Sequence, residues 1–150
     1  MQMPRRSFLA AATGALALAA CPAFAQDAAP AAGKWEAQVS IAEQRMRLYH
    51  EGALHAEWAV STARKGKKTP KGTFKPYWLS KHHRSSRYNG APMPFAVFYD
   101  GNYAIHGTDQ IGKLGSPASA GCVRLHPDNA AFVFAIAKQH GLNALRIVIS

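Results

Sequence analysis

The sequence predicts a mostly antiparallel β domain with one main helix packed near the C-terminus. Three observations point there. Apolar and polar residues alternate with period two in several short runs. A strong hairpin signal, Asp100-Gly101, sits between two such runs. A single helical stretch arrives late, with no strand–helix–strand rhythm before it.

Taken in order, Trp35, Ala37, Val39 and Ile41 alternate with polar residues, and Leu54, Ala56, Trp58 and Val60 do so again. Between them Met46-Arg47-Leu48-Tyr49 is a shorter strand, closed by the turn signal His50-Glu51-Gly52. Thr69-Pro70-Lys71-Gly72 places Pro second and Gly fourth, as a type I turn prefers. Residues 95–99 and 103–105 flank the hairpin turn. Pro127 suits the first position of a helix, Asp128 and Asn129 fall in its first turn, and Gly141 supplies the stop. Residues 130–137 are apolar nearly all round, so this helix packs a wide face against sheet. Leu145, Ile147 and Ile149 alternate as a closing strand. No internal repeat is present.

Composition bounds the rest. The 150 residues suit one domain with a tail, and 48% apolar residues with 15 aromatics suffice for a core. The 18 Lys and Arg against 8 Asp and Glu, a net +10, favour an anionic partner. The N-terminus narrows that choice. Arg5-Arg6, an uncharged Ala- and Leu-rich run over residues 8–20, and Ala23-Phe24-Ala25 before Gln26 form a secretory signal peptide over residues 1–25. The run is shorter than the roughly 20 apolar residues a spanning helix needs. Pro4-Arg5-Arg6-Ser7-Phe8-Leu9 resembles a twin-arginine export signal, with Pro where Ser or Thr is common. Leu18-Ala19-Ala20-Cys21 resembles a lipobox, the alternative to cleavage after Ala25, and Pro22 disfavours it. Export to the periplasm or cell envelope excludes nucleic acid and leaves an anionic wall or membrane surface as the basic partner. Removing Arg5 and Arg6 leaves 16 basic and 8 acidic side chains, a net +8. Residues 26–34, rich in Ala and Pro, read as a flexible tether, and residues 35–150 as the domain.

After cleavage Cys122 is the lone thiol, exposed to an oxidising compartment without an internal partner. It lies between Gly121 and Val123 in Ser119-Ala120-Gly121-Cys122-Val123-Arg124-Leu125, where small neighbours let backbone N–H groups converge on an oxyanion. His106, 16 residues upstream, ends a strand and enters the loop Gly107-Thr108. A thiol needs such a base because an unperturbed cysteine is mostly protonated at neutral pH. Arg124 would lower the thiol pKa or hold a substrate carboxylate. Spacing alone does not specify a family, since any histidine and cysteine can be paired on paper.

The wider string His106-Gly107-Thr108, then Leu114-Gly115-Ser116-Pro117-Ala118-Ser119-Ala120-Gly121-Cys122-Val123-Arg124-Leu125, closely resembles the catalytic signature of the L,D-transpeptidases of YkuD type. Residues 40–49, 60–62 and 69–74 resemble the same family in the expected order, so the likeness covers residues 35–150. The resemblance implies an antiparallel β-sandwich or barrel, with Cys122 as nucleophile and His106 as proton acceptor and donor. It implies a backbone carbonyl at Gly107 orienting the imidazole, and an oxyanion hole around Ala120, Gly121 and Cys122. Arg124 and Ser119 would contact substrate. Many family members carry Ser-His-Gly-Cys, whereas Ala120 stands here in place of that second histidine. The implied reaction attacks the L-centre carbonyl of the third residue of a peptidoglycan tetrapeptide stem and releases D-Ala. The resulting thioester passes to an amine (a second stem, a lipoprotein lysine or a free D-amino acid) or to water.

Residues 64–87 carry nine Lys and Arg and no acid, consistent with a solvated loop or with attraction to anionic wall and stem carboxylates. Tyr77, Trp78 and Tyr88 interleave with these charges; Tyr88 is read as lining a substrate groove, and residues 81–93 as a loop beside the site. His82-His83, His106 and His126 show no ligand spacing and no acidic cluster, so neither metal nor cofactor is expected. His126 suits the helix start or the rim of the site. The competing readings are an L,D-carboxypeptidase or other wall hydrolase and a noncatalytic basic wall-binding module. A papain-like hydrolase usually places cysteine before histidine, the reverse of the order here.

Overall fold

The computed structural model describes residues 29–150. Residues 1–28, which hold the expected signal peptide, Cys21 and the start of the expected tether, lie outside the described residues. Nine strands and one α-helix follow in order: β1 Trp35–Ser40, β2 Arg45–His50, β3 Ala53–Ala59, β4 Gly72–Phe74, β5 Trp78–Arg84, β6 Pro92–Asp100, β7 Tyr103–Gly107, β8 Val123–Leu125, α1 Pro127–His140 and β9 Leu145–Ile149. They form a five-stranded sheet, β3-β2-β1-β9-β4, and a four-stranded sheet, β5-β6-β7-β8.

One core joins both sheets and the helix. Trp35, Ala37, Val39, Met46, Leu48 and the β9 residues Leu145, Ile147 and Ile149 come from the first sheet. They meet Val97, Tyr99, Ile105, Val123 and Leu125 of the second, and Ala130, Val133 and Ile136 of α1. Each Leu, Ile or Val buried this way stabilises the fold by about 1.5–3 kcal/mol. The expected helix is present, and His126 is its N-cap, its Nδ1 accepting from Asp128 N–H at 3.2 Å.

The mostly β class holds, but the sheets are mixed. β1 runs parallel to β9, and β7 parallel to β8. Period-two alternation reports which face a side chain takes and is silent on the direction of the neighbouring strand. The hairpin turn lies one residue further on than expected: Asp100 pairs with Tyr103, so Gly101-Asn102 is the loop and Gly101 takes φ +51°. Strand β5 falls inside the stretch read as a basic loop. It is an edge strand, and the charged, exposed residues of such edges hide the period.

Two local features set up the site. Phe95 has φ +54°, rare for an aromatic residue. It slips the alternation of β6: Val97 and Tyr99 face the main core, whereas Met93, Ala96 and Phe98 join Ala104 in a second cluster against Cys122. The described end of the segment read as a tether is also held to the domain. Ala31 O accepts from Trp35 Nε1 at 2.9 Å, and the rings of His140 and His50 reach Pro30 O and Ala32 O at 2.8 and 2.9 Å.

Candidate active site

The parallel register of β7 and β8 decides which side chains meet. Ile105 pairs with Val123 and His106 with Arg124. Ile105, Val123 and Leu125 point into the main core. Alternation therefore puts Ala104, His106, Cys122 and Arg124 together on the opposite face. There His106, Cys122 and Arg124 line one cavity of about 450 Å³.

The loop before Cys122 is braced from several sides. Ser119 Oγ donates to Cys122 O at 2.6 Å and accepts from Gly121 N–H at 3.0 Å. Thr69 Oγ1 donates to Gly121 O at 2.9 Å and accepts from Ala63 N–H at 3.0 Å. Arg64 N–H donates to Ser119 O, and Ala118 and Ser119 N–H both reach Thr62 O. Gly121 has φ +140°, and a Cβ there would come within 2.5 Å of Tyr103 Cε1 and 2.7 Å of Lys68 O. Only glycine fits this crossing of the basic turn and the thiol-bearing loop.

These contacts give Ser119 and Gly121 a structural part in the loop. Ser119 is 1% exposed and its hydroxyl bonds within the loop, so it braces the loop where it borders the cavity. Gly121 donates its N–H to Ser119 Oγ, and its lack of a side chain is what the crossing requires.

His106 is 5% exposed, and its Nδ1 lies 2.6 Å from Gly107 O. A carbonyl only accepts, so Nδ1 carries the proton and Nε2 is the basic nitrogen of the neutral ring. Burial pulls its pKa down to about 4; the Gly107 bond opposes this, while Arg124 and His83 add to it. Burial pushes the Cys122 thiol up, against the Ala104 backbone bond and the Arg124 charge. Both directions favour the neutral thiol and the neutral imidazole. Sγ lies 3.8 Å from Asn102 O. Arg124 donates from Nη1 to Gln110 Oε1 at 3.1 Å.

Gly107 supplies the orienting carbonyl, and its own Cβ position is closed off by Pro94 and Pro127. Ala120 and the exposed Tyr88 both line the cavity. Sequence reasoning placed His83 and Met93 only within a stretch beside the site and did not assign Phe98 or Asn102 to the cavity. His83 lies edge-on to the rings of Trp78 and Phe98, at 5.4 and 4.9 Å. The slip of β6 at Phe95 brings Met93 and Phe98 to one side, and it leaves no signature in the residue types. Among the described residues no three His, Cys, Asp or Glu cluster as a metal site.

Fold and site thus define a two-sheet β domain that presents a neutral thiol and an oriented imidazole in a single basic cavity. The chain belongs to the L,D-transpeptidase family: the YkuD L,D-transpeptidase catalytic domain matches residues 34–147. Solved structures with the same fold include an L,D-transpeptidase from Mycobacterium smegmatis, 21% identical with TM-score 0.68, the match covering 78% of this chain and 58% of that one. Another, from Xylanimonas cellulosilytica, is 23% identical with TM-score 0.63, covering 80% and 62%. L,D-transpeptidase 3 of Mycobacterium tuberculosis, in complex with a faropenem-derived adduct, is 14% identical with TM-score 0.67, covering 77% and 60%. The matches thus span about three fifths of those solved chains. No curated protein matches.

Proposed function

We propose that this chain is an exported peptidoglycan L,D-transpeptidase working by cysteine acyl transfer in the periplasm or cell envelope. The observation that carries the reading is the His106–Gly107 contact, which fixes the basic Nε2 in the cavity that also holds Cys122. Because both groups rest neutral, attack and proton transfer go together. The Sγ proton moves to His106 Nε2 as sulfur bonds to the L-centre carbonyl of the third stem residue. With Gly121 N–H engaged, the oxyanion falls to the N–H groups of Ala120 and Cys122.

Collapse breaks the C–N bond, and His106 hands its proton to the departing D-Ala amine. A thioester remains. An acceptor amine then attacks it, gives its proton to His106, and the released thiolate takes that proton back. The acceptor is a second stem, a lipoprotein lysine or a free D-amino acid; water in its place makes the chain an L,D-carboxypeptidase. The absence of a histidine at Ala120 leaves these steps intact, since backbone donors do not depend on that side chain.

Intact-mass measurement after carbapenem treatment tests the reading. A covalent adduct that maps to Cys122 and is lost in Cys122→Ala is the expected result. A thiol that reacts with small alkylators yet forms no adduct with carbapenem or tetrapeptide stem points to the noncatalytic wall-binding module. Incubation with purified tetrapeptide muropeptides then separates cross-linked dimer, released D-Ala and D-amino-acid exchange. The mass of the secreted chain decides between cleavage after Ala25 and lipidation at Cys21.

A further inference from the structure

The cations of this domain fall into two groups. On the first sheet each arginine has a carboxylate partner: Arg47 meets Glu43 at 2.7 Å and Glu57 at 3.0 Å, Arg45 meets Glu57 at 3.4 Å, and Arg146 meets Glu36 at 3.5 Å. Around the cavity the pattern reverses. Arg64, Lys67, Lys68, Arg87 and Arg124 line it with a single carboxylate, Asp109. None of the five forms an ion pair within 4.0 Å among the described residues. Arg64 and Arg124 lie close enough that the charge of one disfavours the other's. Five cations against one carboxylate leave an excess of like charge that destabilises a fold, and an anion bound between them offsets that cost.

Three of these cations come from one turn, and it is not loose. Lys67 N–H bonds Arg64 O, and Arg64 N–H bonds Ser119 O. Thr69 clamps the end of the turn to Gly121 O, where Lys68 O packs against the glycine. The backbone of the turn is thus fixed to the loop bearing Cys122, so its cationic side chains start from a set place at the cavity that holds the thiol.

Given the acyl-transfer reading above, we propose that the Arg64–Lys67–Lys68 turn is a carboxylate-reading wall. It selects acyl-donor peptides that carry a free carboxylate in addition to the terminal one, and discriminates against donors in which that carboxylate is amidated. The terminal carboxylate of a departing D-Ala lies next to the scissile bond, within reach of Arg124 beside Cys122. The turn lines the same cavity, so its cations are available to a second carboxylate of the same peptide. An amide of the same shape offers no charge to these cations, and its NH₂ faces other donors.

The test uses two tetrapeptide stems with the same free C-terminus, differing only in whether the internal carboxylates are free or amidated. Affinity is measured calorimetrically on Cys122→Ser, and thioester formation by mass spectrometry on the unaltered chain. At low ionic strength the free-carboxylate stem should bind and acylate about tenfold better or more. That ratio should shrink toward one in Lys67→Gln/Lys68→Gln, and at an ionic strength of about 0.5 M. Ratios within about twofold, or a preference untouched by the double variant, overturn the proposal. Carboxylate-dependent binding without any thioester would keep the wall and overturn acyl transfer. Thioester from both stems alike would do the reverse, and neither binding nor thioester would overturn both.

Discussion

His106 Nδ1 and Gly107 O, on adjacent residues, lie 2.6 Å apart, and this contact fixes which imidazole nitrogen is basic. It also explains how so buried a ring stays oriented. The bond opposes burial only in part, and the pKa is held at about 4.

The first prediction is a flat acid limb. A base that protonates near pH 4 stays neutral through pH 5, so thioester formation should change little between pH 7 and pH 5. An ordinary imidazole would lose most of its base form over that range. Stopped-flow acylation by a carbapenem across the range measures it; a midpoint near 6.5 counts against the buried base. His106→Gln should slow acylation by about 10²- to 10⁴-fold.

The same burial predicts how stability depends on pH. The folded pKa of His106 lies below its unfolded value, so the unfolded chain binds the extra proton. This contribution is complete above the unfolded pKa and is lost as pH falls from about 6.5 toward 4. Denaturant midpoints at pH 7 and pH 5 should differ, and His106→Gln should flatten that difference. An equal slope in the variant assigns the effect to other groups.

Gly121→Ala should cost at least about 1–3 kcal/mol. The residue holds φ +140°, and its added methyl would press Tyr103 and Lys68 O at 2.5 and 2.7 Å. Chemical denaturation gives the cost, and a near-neutral change would mean that the crossing opens freely. Trimming the ring with Tyr103→Ala should recover only part of the loss, because the Lys68 carbonyl and the backbone angle remain.

Thr69→Val removes one hydroxyl that both accepts from Ala63 N–H and donates to Gly121 O in a buried setting. Losing both bonds should cost about 1–3 kcal/mol. Acylation of Cys122 should slow while alkylation by a small haloacetamide stays near normal, since misplacement affects oriented attack more than simple thiol access. Loss of stability with acylation unchanged would reduce Thr69 to a packing role.

The strands with clear alternation were legible because each buries one face: Trp35, Ala37 and Val39 on β1, and Leu145, Ile147 and Ile149 on β9. The α1 boundaries were legible from Pro127 and Gly141. Strand β5 was not, because an edge strand with exposed His82 and Arg84 has no single buried face to report.

At the site, residue type singled out Cys122 as the lone thiol of residues 26–150, whereas choosing His106 among seven histidines rested on the resemblance of the string around it to the L,D-transpeptidase signature. Their assembly was decided elsewhere. The parallel β7–β8 pairing puts His106 beside Arg124 and turns Cys122 to the same face. Ser119 and Gly121 read as substrate and oxyanion residues in sequence, yet bond to each other and to the Cys122 carbonyl in the fold. Sequence carries side-chain chemistry and local period. Strand direction, the burial that sets the His106 pKa, and the meeting of residues 64–69 with residues 119–122 depend on distant segments packing together, and only tertiary structure supplies that.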